Sequence, residues 1–372
     1  MKSHSTSELP ALGTRIVSRA PTRVDLAGGT LDIWPIHLLL GEPSTLNLGI
    51  DLCAEAHLHI QKNSGSEINL ESADQGHKLG LSWLELKTAS FPPALELHGK
   101  LLRYFAQANP GFVEKISRSD LQLTLRTQAK SPAGAGLGGS STLSISILGA
   151  LHRLFYPTQA LDSETRTHLI EIARDVETTV IRVPAGLQDY YGAAFGGLQL
   201  LTWGAAGHKR TALPSDILKS LLSRLLLFYS GQSRNSGINN WVLFKSFIDG
   251  DASVRDRFQG IASATQELQS ALLARDWKGA GQAIAREWSI RRNFAAGIST
   301  PEIDRAFETA FELGATAGKI CGAGGGGCFF IWTDEENPSL HQKIVASLTQ
   351  LGVRHLPFTP VENGLDVSVQ VD

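Results

Sequence analysis

Ten residues constrain this chain more than any other stretch: Pro132-Ala133-Gly134-Ala135-Gly136-Leu137-Gly138-Gly139-Ser140-Ser141. The alternating run before them, 121–127 (LQLTLRT), reads as a half-buried strand, and residues 142–155 after them as a strongly apolar helix. Glycines between a strand and a helix start let the backbone come close to a ligand, and successive N–H groups at a helix start cradle phosphate. Ser140 and Ser141 fall in the first turn, where a hydroxyl reaches a magnesium ion or a phosphate oxygen.

Gly134, Gly136 and Gly139 also spell G-x-G-x-x-G, which by itself is weak and suits a dinucleotide-binding fold equally well. Three features count against that fold. The motif lies deep in the chain, a Ser-Ser pair follows it directly, and no strand ending in an acidic residue follows at the usual distance. No Gly-Lys-Ser/Thr follows the glycines, which excludes a Walker-type loop. A glycine turn with no ligand remains the plain alternative. The second loop, Gly322-Ala323-Gly324-Gly325-Gly326-Gly327, carries five glycines in six residues between apolar segments. Ordering so many glycines is entropically expensive, so the excess predicts backbone packed against a ligand or against the first loop.

At 372 residues the chain has room for two domains, and 42% hydrophobic with 19% charged residues suits a globular protein. A net charge of -2 with no long basic run counts against nucleic acid or an anionic membrane as the main partner. Cys53, Cys321 and Cys328 are too few and too irregular for a disulfide framework or a zinc site, which suits a reducing cytoplasm. The polar start has no signal-peptide core, and no run of about 18 apolar residues predicts a spanning helix.

Residues 1–13 read as a loose lead, 15–20 as an extended segment, 26–30 as an unusual turn and 44–60 as strand. Helices are expected over 97–108, 163–180 (capped by Ser163, with Leu169, Ile172, Val176 and Val180 on one face), 254–274, 277–296, 301–313 and 338–351. Thr300 and Asn337 are the expected caps of the last two, and Gly352 the stop. Strands are expected at 198–203, 224–229, 328–333 and 367–371, with a domain boundary around 204–215. The mixture points to two α+β domains, 14–204 and 215–372.

Three separated motifs, in order, resemble the GHMP kinase superfamily. They are Arg19-Ala20-Pro21-Thr22-Arg23-Val24-Asp25-Leu26-Ala27-Gly28-Gly29-Thr30-Leu31-Asp32, the glycine turn, and the segment from Lys319 to Cys328. Within that superfamily Gly186-Leu187-Gln188-Asp189-Tyr190-Tyr191-Gly192 looks most like the sugar kinases near D-glycero-D-manno-heptose 7-phosphate kinase and galactokinase. The subgroup usually carries a third glycine and then Thr-Asp where this chain has Thr30-Leu31-Asp32, and Trp34 is a further departure; both bear on the sugar pocket. The resemblance implies a ribosomal-protein-S5-type N-terminal domain, a ferredoxin-like C-terminal domain, and ATP and acceptor in the cleft between them.

The same resemblance implies roles. Asp189 is the base or orienting carboxylate for the acceptor hydroxyl, and Arg23 the neighbouring cation that keeps it ionised and offsets charge on the moving phosphoryl group. Pro132, Gly134, Gly136, Leu137, Gly138, Gly139, Ser140 and Ser141 hold ATP. Ser140 and Glu177 hold Mg2+. Asp32, Gly29, Thr30, Gly324 and Gly325 face the acceptor, and Arg234 is positioned for an acceptor phosphate. His37, His57 and His98 are read as packed or exposed side chains. The expected substrate is a sugar or sugar phosphate, with a monomer and a homodimer both open. The alternatives are a mevalonate or phosphomevalonate kinase of the same superfamily, a pseudokinase that binds nucleotide or sugar as a sensor, and a dinucleotide-dependent oxidoreductase.

Overall fold

The computed structural model describes residues 9–371 apart from 66, 233–236, 296 and 323, with residues 237–241 by their place in a helix alone. Twelve strands run in chain order among these residues: β1 (Thr14–Ala27), β2 (Ser44–Lys62), β3 (Ile68–Ser72), β4 (His77–Leu81), β5 (Leu121–Ala129), β6 (Leu198–Gly204), β7 (Gly207–Ala212), β8 (Leu225–Tyr229), β9 (Ala317–Ile320), β10 (Cys328–Trp332), β11 (Arg354–His355) and β12 (Asp366–Val371). The fold is α+β.

The large sheet is ordered β12-β1-β2-β5-β3-β4, with β6 also on β2 and β7 on β6. β1 and β2 pair antiparallel from Arg15↔His59 to Ala27↔Leu46, with irregularities at Ala20/Thr22 and Asp25/Ala27. The second irregularity lies where the chain leaves the sheet for the Gly28-Gly29 turn. β5 alternates as its sequence predicts: Leu123, Leu125 and Thr127 are buried while Arg126 and Gln128 are exposed. Against the sheet, chiefly over β1 and β2, lies the helix Gly139–Phe155, buried at thirteen positions, as a helix wrapped by other elements must be. The smaller sheet, β11-β8-β10-β9, is antiparallel throughout.

The two halves share one core. Val24 and Leu26 of β1, Leu46 and Leu48 of β2, and Ala135 and Leu137 of the glycine turn are buried together with Leu227, Phe330 and Trp332 of the smaller sheet. The glycine turn is therefore held by the same apolar contacts that join the sheets.

Several sequence expectations need correction. The boundary placed at 204–215 is not a linker: β7 pairs with β6 there, and β12 returns from the second half to pair with β1. The large sheet thus takes strands from both 14–204 and 215–372. Asp162, not Ser163, caps the helix Ser163–Ile181, because its carboxylate accepts the N–H of Thr165 at 2.9 Å. The extended segment of 15–20 runs on through Ala27, and the helix expected to reach 296 ends at Arg291. β3, β4 and the helix Ser215–Leu222 were not anticipated. Thr300 and Asn337 cap their helices as expected. His37 and His98 are buried, and His57 is partly exposed.

Candidate active site

A cavity of about 460 Å³ opens between the glycine turn, the end of β1 and the start of the helix Gln188–Phe195. The turn is built for backbone exposure. Gly134, Gly136 and Gly138 take φ of +66°, +76° and +73°, the left-handed region that favours glycine. Between them Ala135 and Leu137 are buried and anchor the turn in the shared core. Its carbonyls are tied on the protein side: Leu137 O accepts the Arg23 N–H at 3.2 Å, and Ala135 O accepts the Cys328 N–H at 2.7 Å. Gly138 precedes the helix Gly139–Phe155 without any side-chain cap, so no side chain of its own screens the positive end of that helix from an anion.

Asp189 lies in the first turn of its helix, across from this turn. A Cβ added to Gly138 would stand 3.1 Å from Asp189 Cβ and Cγ, so the two are in direct contact. Arg23, almost wholly buried, donates from Nε and Nη2 to Asp189 Oδ1 at 2.8 and 2.5 Å, and from Nη1 to Gly136 O at 2.8 Å. Burial alone would make Arg23 easier to deprotonate, but Asp189 and Asp25 outweigh it and hold the guanidinium more firmly charged. The expected base, its partner cation and the phosphate turn therefore meet at one point.

Asp32 is buried, and its Oδ2 accepts the N–H of Gln188 at 2.9 Å. It thereby caps, from a distance in sequence, the helix that carries Asp189. Burial, with a further push from the charge of Asp189, raises its carboxyl from 3.8 to about 6. Glu177 is also buried. It accepts from Tyr190 Oη at 2.6 Å and from Ser141 Oγ at 3.2 Å, and burial raises its carboxyl despite these bonds and one from Ser140. Ser140 itself is exposed on the cavity wall. Thr30 adopts φ +73° and donates its hydroxyl to Gly29 O, and both residues line the cavity.

The second glycine loop packs on the first. A Cβ on Gly322 would lie 3.0 Å from Gly136 O, and one on Gly327 would lie 2.8 Å from Ala135 O. This backbone contact is the use of glycine that the sequence predicted. The assignment of Gly324 and Gly325 to the acceptor is not supported by their placement. Gly324 abuts Ile298, the Gly325 N–H is taken by Ile298 O at 2.5 Å, and among the described residues of this loop only Gly322 lines the cavity. Arg234 lies outside the described residues.

Sequence reasoning assigned no role to four buried charges beneath the turn at residues 28–32. Lys319 Nζ is 3.0 Å from Asp25 Oδ2 and 3.3 Å from Glu287 Oε1. Arg291 donates to Glu287 Oε1 from Nε at 2.8 Å and Nη2 at 2.5 Å, and from Nη2 to Gly29 O at 2.8 Å. Asp25 and Lys319 sit inside quoted motifs, and Glu287 and Arg291 are an i,i+4 pair; only that spacing was readable as a signal. Gln188 and Tyr190, neighbours of Asp189, were likewise unassigned.

Comparison with known proteins places the chain in context. The GHMP kinases N terminal domain profile matches residues 100–197, and the GHMP kinases C terminal profile matches residues 268–349. D-glycero-alpha-D-manno-heptose 7-phosphate kinase from Campylobacter jejuni is 25% identical over 325 residues, covering 86% of this chain and 89% of the relative. Mevalonate kinase from Methanothermobacter thermautotrophicus is 26% identical over 235 residues, 63% of this chain and 68% of the relative. Among solved structures, a D-glycero-D-manno-heptose 1-phosphate kinase from Bacteroides thetaiotaomicron superposes with TM-score 0.71 at 20% identity, over 95% of this chain and 98% of the other. The galactose complex of Lactococcus lactis galactokinase gives TM-score 0.72 at 13% identity, over 95% of each chain. At such identities the structural likeness is one of fold.

Proposed function

The chain belongs to the GHMP kinases, and on that premise we propose that it is an ATP-dependent phosphotransferase acting on a hydroxyl of a sugar or sugar phosphate. The observation that carries this reading is the contact of Asp189 with Gly138, with Arg23 bonded to both Asp189 and Gly136. A carboxylate at the lip of a phosphate-binding turn is where an acceptor hydroxyl must be aligned with a terminal phosphoryl group.

The turn, residues 132–141, receives the phosphate tail of ATP on its backbone N–H groups. Asp189 orients the acceptor hydroxyl and takes its proton as the oxygen bonds to the γ-phosphorus and the bond to the bridging oxygen of ADP breaks. Arg23 keeps Asp189 ionised and offsets charge on the transferring group. Asp32, Gly29 and Thr30 face the acceptor. For Mg2+ the donor chemistry fits: a carboxylate, Glu177, and a hydroxyl, Ser140, line the same cavity, and Mg2+ takes oxygen ligands, one or two from protein with substrate phosphates and water. Glu177 and Ser140 would hold it, and it would neutralise bridging phosphate oxygens. No helix among the described residues is long and apolar enough to cross a membrane, and the three buried free cysteines suit a cytoplasmic setting.

The test is ADP release with ATP and Mg2+ over a panel of heptose phosphates, hexoses and mevalonate, beside a melting screen of ATP against NAD. Turnover of a sugar or sugar phosphate supports the reading. Turnover of mevalonate alone reverses the substrate class. Stabilisation by NAD and not by ATP overturns the kinase assignment.

A further inference from the structure

Deep between the two halves, two acids and two bases form one buried cluster. Asp25 lies near the end of β1, Lys319 lies in β9, and Glu287 and Arg291 are one turn apart in the helix Trp277–Arg291. The side chains of Asp25, Glu287 and Lys319 are wholly buried, and that of Arg291 is 4% exposed. Burial pushes Asp25 toward its neutral form, but Lys319, Arg291 and Arg23 outweigh it and hold the carboxyl below its ordinary range.

Such a group is an inefficient way to gain stability, since apolar side chains of the same volume often serve as well or better. Its geometry points to placement instead. Arg291 reaches out of the group to Gly29 O with the same nitrogen that holds Glu287. Asp25 lies against the same residue: a Cβ on Gly29 would fall 2.3 Å from Asp25 Oδ2. Lys319 adds a bond to the backbone carbonyl of Asp25 at 3.1 Å. The residue after Gly29, Thr30, is held at φ +73°, which a side chain other than glycine adopts only when its surroundings impose it. Two residues further on is Asp32, buried at the acceptor end of the cavity.

Building on the kinase reading above, we propose that Asp25, Glu287, Arg291 and Lys319 are positioning residues that lock the turn 28–32 for the acceptor, with Arg291 bonded to Gly29 as the point of control. The nucleotide end of the cleft has anchors of its own: the turn 132–141 is held through Ala135, Leu137 and Arg23, while Arg291 bonds to Glu287 and Gly29, so a change at Arg291 reaches the acceptor end first.

Arg291→Lys keeps the charge beside Glu287 and removes the fork that also reaches Gly29. In the full chain it is expected to raise the acceptor KM about tenfold, the worth of one charge-assisted hydrogen bond, with a smaller fall in kcat and ATP affinity within about twofold. Hydrogen exchange gives a readout independent of turnover: the amide of Leu31, bonded to Gly28 O at 3.1 Å, should lose protection while the amides of Arg23 and Cys328, bonded to the carbonyls of Leu137 and Ala135 in the nucleotide turn, keep theirs. Arg291→Met should show the same pattern more strongly. If Arg291→Met does not fold, Arg291→Lys still decides. A folded Arg291→Lys protein with native protection at Leu31, or with acceptor and ATP constants raised alike, overturns the inference. A wild-type protein that turns over no acceptor counts against the kinase reading, and the exchange experiment then judges the lock by itself.

Discussion

Two nitrogens of Arg23 converge on a single oxygen of Asp189, Oδ1, at 2.8 and 2.5 Å. The other oxygen, Oδ2, lies toward Gly138, 3.2 Å from where a Cβ on that residue would stand. One half of the carboxylate is thus tied to a fixed cation and the other is turned to the glycine turn. Replacing Asp189 with Asn keeps an oxygen for Arg23 and removes the proton acceptor. Turnover should fall by about 10²–10⁴ while ATP binds within a few-fold of wild type. Single-turnover kinetics with a separate ATP binding measurement checks this; kcat within a few-fold of wild type would remove Asp189 from the chemistry.

Tyr190 follows Asp189 directly and donates to Glu177 at 2.6 Å, joining the helix of the base to the carboxylate assigned to the metal. Tyr190→Phe leaves Ser141 as a remaining donor to Glu177. The Mg2+ concentration for half-maximal activity should rise about tenfold, as for other partners that orient a metal ligand. A proton competes with the metal for Glu177, whose carboxyl burial has raised, so the requirement for Mg2+ should grow as pH falls. A magnesium titration at several pH values tests both statements, and a Tyr190→Phe curve that overlays wild type argues against this role.

What was readable in the chain depended on how locally each feature is encoded. The glycine turn announces itself because strand, glycines and apolar helix are contiguous, and the Arg23–Asp189 pair followed from family motifs 166 residues apart. The bond from Lys319 to the Asp25 carbonyl spans 294 residues, and no local pattern marks either residue as buried and paired. Gly324 and Gly325 show another limit: a run of glycines predicts close backbone contact but not which neighbour is contacted. β7 (GHKRTA) went unread because it is an edge strand with no buried position, so it carries none of the alternation that betrays a half-buried strand. Asp162 and Ser163 are both good caps, and only the bond to Thr165 chooses between them.

Gly136 is required twice over. Its φ is +76°, and a Cβ there would stand 2.4 Å from the carbonyl oxygen of Cys321, a backbone atom with little room to yield. Gly136→Ala should lower the melting temperature and weaken ATP binding together, because the two glycine loops can no longer touch. Gly352→Ala is the control. Its φ is +83° with nothing within 4 Å, so it should lose only about 1 kcal/mol of stability to added backbone strain and keep wild-type kinetics. Equal losses in the two variants would mean that loop contact does not matter.

Asp32 gives the clearest pH signature. Its carboxyl titrates near 3.8 when unfolded and near 6 when buried in the folded chain. A raised carboxyl favours folding fully below the unfolded value, and that contribution is lost as pH rises through about 6, up to about 3 kcal/mol for one such group. Asp32→Asn cannot titrate, so the stability difference between variant and wild type should shift in the variant's favour as pH climbs from 4 to 7. Acceptor binding should move the opposite way. Only the ionised carboxylate accepts hydrogen bonds from sugar hydroxyls on both oxygens, so the wild-type acceptor KM should fall as pH passes about 6 while the Asp32→Asn value stays high and flat. Melting curves and acceptor KM measured across this range, at saturating Mg2+ to silence Glu177, test the two halves independently. An Asp32→Asn protein with the wild-type pH step in KM would move the acceptor contact to another residue.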